Sequence, residues 1–476
     1  MNEPVLIQKL NLLSRYDVLK KEDINRFGEI IKSLGDWELF RINPLTFAQK
    51  YEFELNSVVD IFLHSVKIGL FDFSWNLICP MCGGVEHSHG NLNNLSNKDS
   101  FYCVMCNYDV SMDLDQQVEV SFNLSSSIRD LEIEPYSSFN NYRKYFFSPN
   151  YQIDPNMLEM FKGLSLGIEV IEPDETGKIP IEAVSGKTYR VVSLQTHSQF
   201  KVHVTDKSSD LPQIVEVDLL GNGFYSETIT VDNGKLTIYI HNRSKSKLIV
   251  DYHIFDLSKV ISEAEMYPKK KYPFMTGKML LNNQKFRELF RIQALAPDLK
   301  LNVKSLTIMF TNLKGSTEMY EKIGDINAYN LVQKHFDILI ESVKKYSGAI
   351  VKTMGDAIMA TFSSPSDGVM AAVDMMNSVS TNKHWDSQGH EIGLKIGLNE
   401  GNALVVNADE RLDYFGQSVN VAARVQGLAQ AGEIWLTDSI FGNDEVKDII
   451  SGFEIEKQSA ILKGVGKPVI VYKCAR

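Results

Sequence analysis

The sequence predicts a multidomain protein: a helical N-terminus that contains a four-cysteine ribbon, an all-β middle domain and a C-terminal α/β domain. Three observations carry this reading. The chain has 476 residues, too many for one ordinary core at roughly 100–200 residues per domain. Its texture changes along its length, from helical spacing to strict alternation and then to strands interleaved with helices. Four of its five cysteines fall into two CxxC pairs.

Composition is that of a folded chain, 44% hydrophobic and 23% charged with no long low-complexity run. A formal net charge of −11 argues against a general nucleic-acid binder, because neutralising phosphates needs a basic surface, and leaves only a local basic patch. The opening stretch "MNEPVLIQKLNLLSRYDVLKKED" scatters charges among its apolar residues, unlike a signal peptide. No run reaches the ~18 apolar residues of a spanning helix. The expectation is a cytoplasmic protein without a membrane span.

Residues 1–114 read as the helical region, with apolar residues three and four apart in "VLIQKLNLL" and "ELNSVVDIFLHSVKIGLF". Pro44 in "RINPLTF" marks a turn or a fresh helix start. Inside this region, residues 75–109 carry Cys79, Cys82, Cys103 and Cys106 as C-x2-C, twenty residues, C-x2-C. Two short turns spaced this way aim four thiolates at one tetrahedral ion, so a structural zinc ribbon is expected. Four reduced, metal-free thiols are the alternative. His87 and His89 are spare ligands or simply solvated polar-loop residues. The flanking acids oppose a nucleic-acid role for this ribbon.

Residues 115–257 alternate apolar and polar, as in "KTYRVVSLQTH", "FKVHVTD" and "KLTIYIHNRS", with breaks at Gly, Asn, Asp and Pro, which predicts an antiparallel sandwich or barrel. It shows no nucleophile, acid pair or phosphate loop, and either sensing of an unknown regulatory ligand or protein, or plain spacing, is expected of it. Residues 258–304 read as a connector, in which Phe286, Leu289 and Phe290 form a packing stripe and Pro297 a stop. Its place before the last segment suggests a signal-transmitting helix. Residues 305–476 alternate strands and helices, and "AIVKTMGDAIMATF" forms a hairpin turned at Met354, Gly355 and Asp356.

The pieces "FTNLKGST", "VKTMGDAIMATF", "KIGLNEG", "DYFGQSVNVAARV" and "LKGVGKP", in this order, resemble the catalytic domain of class III nucleotidyl cyclases over nearly all of residues 305–476. The N-terminal part also resembles the zinc-ribbon region before some bacterial cyclase domains. The resemblance implies a ferredoxin-like domain that dimerises and converts ATP or GTP to the 3',5'-cyclic monophosphate. It also implies two magnesium or manganese ions per site, held by two aspartates and a backbone group. Here those positions are Asp356, Asn312 and the backbone of Leu313. Asn312 replaces the expected acid, and a neutral amide is a weaker ligand for a hard cation. A natural loss, tolerance through manganese and an introduced change are all open readings.

The same resemblance matches Lys352 and Asp413 to the pair that reads the base. An ammonium donating to adenine N1 and a carboxylate accepting from N6 favour ATP over GTP. Asn420 and Arg424, four apart and so on one helix face, match the residues that orient the ribose and meet the α-phosphate. Lys463 matches the lysine that grips the terminal phosphates, and Gly315, Ser316 and Thr317 open a helix whose amides cradle the triphosphate. The expected activity is that of a homodimeric adenylate cyclase weakened at Asn312. The alternative is a catalytically inactive nucleotide-binding regulator, and a third reading is a zinc-ribbon interaction module without nucleotide.

Overall fold

The computed structural model describes residues 1–90, 100–152, 154–225, 228–255, 270–290, 301–381, 393–408 and 411–475, without the side chains of 87, 89, 157, 158, 160, 161, 317 and 318. The expected Pro297 stop and the side chains of His87, His89 and Thr317 lie outside this description.

Helices Glu3–Leu13, Lys21–Ser33, Asp36–Leu39, Pro44–Lys50 and Leu55–Lys67 open the chain. At "RINPLTF" the Asn43 side chain accepts from the Leu45 amide while Pro44 takes the first helical position, where its missing N–H costs nothing. These helices cover an antiparallel sheet in the order Val85–His89, Phe71–Ile78, Val118–Leu124. Between them lies an aromatic cluster in which Phe62 contacts Phe27, Phe47, Phe71 and Phe122 at ring separations of 4.8–5.3 Å.

The structure redraws the expected break at residue 114. The strand Val118–Leu124, inside the segment 115–257 expected to form the middle domain, pairs residue for residue with Phe71–Ile78. All but one of its residues are buried: Val120, Phe122 and Leu124 enter the N-terminal core, while on the other face Glu119 accepts from Ser148 and Asn150, and Ser121 accepts from Asn76. The eight-stranded middle domain starts only at Ser165. It is β-rich as expected but not purely antiparallel. The long strand Thr228–Asn242 pairs in parallel with Ser198–Ser208 through its first half and with Gln213–Leu220 through its second. It bends at Gly234, whose φ of 137° and close approach to the Ser209 carbonyl leave no room for a side chain.

The C-terminal sheet runs Ala349–Met354, Ala357–Phe362, Leu301–Lys314, Gly393–Ala408, Glu433–Thr437, Val469–Ala475, Glu454–Ala460, and Arg411–Phe415 adds to Gly393–Ala408. Helices Asp325–Lys345 and Pro365–Thr381 cover one face and enclose Met309 and Leu313. The other face, with Leu306, Ile308 and Phe310, packs into the N-terminal core together with the connector helices Gly277–Leu281 and Gln284–Leu289. A polar knot closes this junction. Asp115 accepts from Lys278 at 2.8 Å, from the Lys304 amide at 2.6 Å and from the Ser305 hydroxyl at 2.9 Å. Burial would raise the Asp115 carboxyl, but the Lys278 hydrogen bond and charge outweigh it and hold the group below the usual range.

Asp60, on Leu55–Lys67, has the opposite fate. Burial pushes its carboxyl up to about 6, more than Lys285 pulls it back. A raised carboxyl pKa means the folded chain holds the proton more tightly, so this contribution to stability is full below the ordinary aspartate range and is lost as pH rises through about 6. Asp60→Asn should therefore stabilise the fold by about 1–2 kcal/mol near pH 7.5 and change little at about pH 3.5, read by denaturant unfolding at both.

Candidate functional site

Two polar pairs mark the C-terminal sheet. Asn312 lies near the end of the central strand opposite Lys395, and Asp356 sits in the turn of the hairpin that joins Met354 to Ala357. Gly355 takes φ 63° there, the left-handed conformation the tight turn needs. The turn brings the two side chains together, and Asn312 Nδ2 donates to Asp356 Oδ1 at 3.3 Å. Asp356 Oδ2 is buried without a hydrogen-bond partner among the described residues. A buried carboxylate oxygen left open in this way suits a cation, and Leu313, paired with Leu394, directly follows Asn312 in the chain.

The second pair is Lys352 and Asp413. They are 61 residues apart on the strands Ala349–Met354 and Arg411–Phe415, and their Nζ and Oδ2 meet at 2.6 Å. The other oxygen, Asp413 Oδ1, accepts from the Tyr414 amide at 2.8 Å, which fixes the carboxylate plane. The ammonium also lies 6.0 Å from the Phe415 ring centroid.

Gly315, at φ 73°, caps Ser316–Ile323, and a Cβ there would meet nothing within 4 Å. Asn420 and Arg424 are both exposed on Gln417–Gln426. Lys463 is exposed in the turn closed by the Val465 amide on the Leu462 carbonyl. Among the described residues no hydrogen bond or ion pair joins these three side chains to the two pairs. Sequence reasoning missed what seats the helix. A Cβ on Gly397 would collide with the backbone of Gln426, and one on Gly401 with Ser418, so two glycines of "KIGLNEG" let Gln417–Gln426 lie flat on its strand. The signal available was a glycine pair inside a strand.

The four cysteines of the ribbon also converge. Cys79 and Cys106 sulfurs are 3.8 Å apart, Cys82 and Cys103 sulfurs 3.7 Å, and all four lie within 4.8 Å of one another. A tetrahedron with metal–sulfur bonds of about 2.3 Å has an edge of about 3.8 Å, so the thiols fit one zinc ion; disulfides need about 2.05 Å.

Known proteins place this geometry. A family model described as "Family of unknown function (DUF5939)" matches residues 10–288, more than half of the chain. The model "Adenylate and Guanylate cyclase catalytic domain" matches residues 300–472. The chain belongs to the DUF5939 family and carries a class III cyclase catalytic domain. An adenylate cyclase of Lachancea kluyveri is 28% identical over 166 residues, 31% of this chain and 9% of that protein. An adenylate cyclase of Anabaena cylindrica is 26% identical over 186 residues, 36% of this chain and 37% of that protein. The chain thus spans well under half the length of these relatives. The crystal structure of the adenylyl cyclase CyaB from P. aeruginosa is 25% identical and covers 37% of this chain and 96% of its own, with a TM-score of 0.33. Among the described residues no helix is long and apolar enough to cross a membrane.

Gly397→Ala should cost about 2–3 kcal/mol in denaturant unfolding, because a strand and a helix backbone must part. Gly452→Ala, with open space around its Cβ, is the control and should change stability by no more than about 0.5 kcal/mol.

Proposed function

We propose that this chain forms cyclic AMP and pyrophosphate from ATP at a homodimer interface, with turnover lowered by Asn312. The observation that carries the reading is the Lys352–Asp413 pair at 2.6 Å, a donor and an acceptor set side by side on separate strands. Separated by an incoming adenine, the ammonium donates to N1 and the carboxylate accepts from the N6 amino group. The two relatives named adenylate cyclase support the same substrate. In this reading Asn420 orients the ribose, Arg424 presents its forked guanidinium to the charge that builds at the α-phosphorus, and Lys463 holds the terminal phosphates. The amides that follow Gly315, with Ser316 and Thr317, cradle the triphosphate.

Two divalent ions, held by Asp356, Asn312 and the Leu313 backbone, would supply charge stabilisation at the attacking and leaving oxygens. Asn312 turns its amide nitrogen toward Asp356, so its oxygen becomes a ligand only when the amide rotates. That hydrogen bond also favours the second reading, a nucleotide-binding regulator without turnover. The four-cysteine cluster is proposed to hold one structural zinc ion per chain. Five free cysteines fit a reducing, cytoplasmic setting.

Purified protein should form cyclic AMP slowly with manganese and ATP, and Asn312→Asp should raise the rate about 100-fold or more with magnesium. Binding of ATP without product from either version would put the regulator reading first, and absence of ATP binding would end both. Elemental analysis should find one zinc per chain, and Cys82→Ser should lose it and lower the unfolding temperature; full stability without zinc would refute the ribbon.

A further inference from the structure

The connector touches the two strands that carry Lys352 and Asp413. Gln284 Oε1 accepts from the Ile350 amide at 2.7 Å, where the hairpin ladder slips register between Ile350 and Lys352. A slip of this kind re-aims the side chain that follows it, here Lys352. Three residues along the same helix, Arg287 Nη1 donates to the Leu412 carbonyl at 2.9 Å, one residue before Asp413. Its guanidinium also stacks 5.3 Å from the ring of Tyr414, one residue after Asp413, and its Nε is held by the Leu281 carbonyl at 2.7 Å. Fully buried Asn282 completes the bridge by accepting from the Tyr414 hydroxyl at 3.1 Å and from Thr361 at 2.7 Å.

The opposite face of this short helix belongs to the N-terminal region. Phe286 is 1% exposed and packs against Phe73 and Trp75 at 5.9 and 6.3 Å. Phe290 meets Phe73 at 5.2 Å, and Lys67 donates to the Leu289 carbonyl at 3.0 Å. Gln284 and Arg287 therefore reach the strands of Lys352 and Asp413 from a support anchored outside the cyclase domain.

We propose that Gln284 and Arg287 are positioning residues for nucleotide selection: they set the separation and aim of Lys352 and Asp413, and through Phe286 they make base recognition answer to the N-terminal region. The inference rests on the reading that Lys352 and Asp413 meet the base. Neither residue touches nucleotide in it. Arg287 acts on Asp413 through the Leu412 carbonyl, and Gln284 acts on Lys352 through the Ile350 amide.

The test uses the full chain with α,β-methylene-ATP and α,β-methylene-GTP, which bind without cyclising. Calorimetry on Arg287→Ala and Gln284→Leu should show adenine binding weakened about tenfold, the effect of one lost buried hydrogen bond, with a changed adenine-to-guanine ratio. Arg287→Lys keeps a donor for the Leu412 carbonyl and should restore most of the affinity and the ratio. Hydrogen exchange without nucleotide should show faster exchange at residues 349–354 and 411–415 in both disruptive variants. Unchanged affinity and ratio in folded variants would overturn the proposal, and so would equal weakening of both nucleotides with no rescue by lysine. If the unaltered chain binds neither nucleotide, the proposed substrate falls on its own; exchange then decides the brace, and unchanged exchange in the two segments overturns it. Should Arg287→Ala fail to fold, Gln284→Leu and Arg287→Lys give the same comparison.

Discussion

One strand serves two cores, and the rest of the architecture follows from it. Along Leu301–Lys314 the side chains alternate, as a strand's period of two requires. Met309 and Leu313 enter the core under the cyclase helices, whereas Leu306, Ile308 and Phe310 enter the core shared with the N-terminal helices. Each of these large side chains is worth about 1.5–3 kcal/mol when buried, so separating the two regions would expose a row of them at once. The N-terminal region is therefore part of the support of the cyclase sheet, and the Asp115 knot with Lys278 and Ser305 pins the strand where it begins.

Features set by local spacing were legible in the sequence. Two CxxC turns gather their thiols whatever the rest of the chain does, and the four cysteines meet as expected. The hairpin at Gly355 and Asp356 followed from an alternation broken at a turn residue. Features set by long-range choice were not legible. The alternation in Val118–Leu124 says which residues share a face but not which strand lies alongside, so its pairing with Phe71–Ile78 had no signature. The parallel pairings of Thr228–Asn242 were hidden for the same reason. Gln284–Leu289 is 6 residues long, and its decisive contacts lie 66 and 125 residues away, beyond any periodicity.

The ribbon occupies a junction between regions as well. Arg190 of the middle domain is 2% exposed and donates to the carbonyls of Val104 and Met105, the two residues inside the second CxxC turn. The ribbon hairpin ends at Ser111, and the chain reaches Asp113 and Asp115, which hold Lys304 and Ser305, within four residues. A metal held by the four proposed ligands would therefore fix the carbonyls that Arg190 reads on one side and the start of the cyclase strand on the other. Its loss would remove more than a local cross-link, because a buried guanidinium depends on the same turn for its partners.

Contiguity of this kind does not by itself carry a signal; a signal needs an element with two arrangements that both ends can bias. In the proposed reading the Lys352–Asp413 pair would be such an element. Closed, it satisfies itself at 2.6 Å; parted, it would offer one donor and one acceptor to a base. The lysine side chain is 38% exposed but the aspartate only 12%, so in this reading the base must replace the lysine as the partner of a mostly buried carboxylate. Direction matters as well, since two free rotors would lose the base's donor and acceptor pattern. The Tyr414 amide on Asp413 and the ladder slip beside Lys352 supply that direction, and both depend on backbone that the connector helix holds.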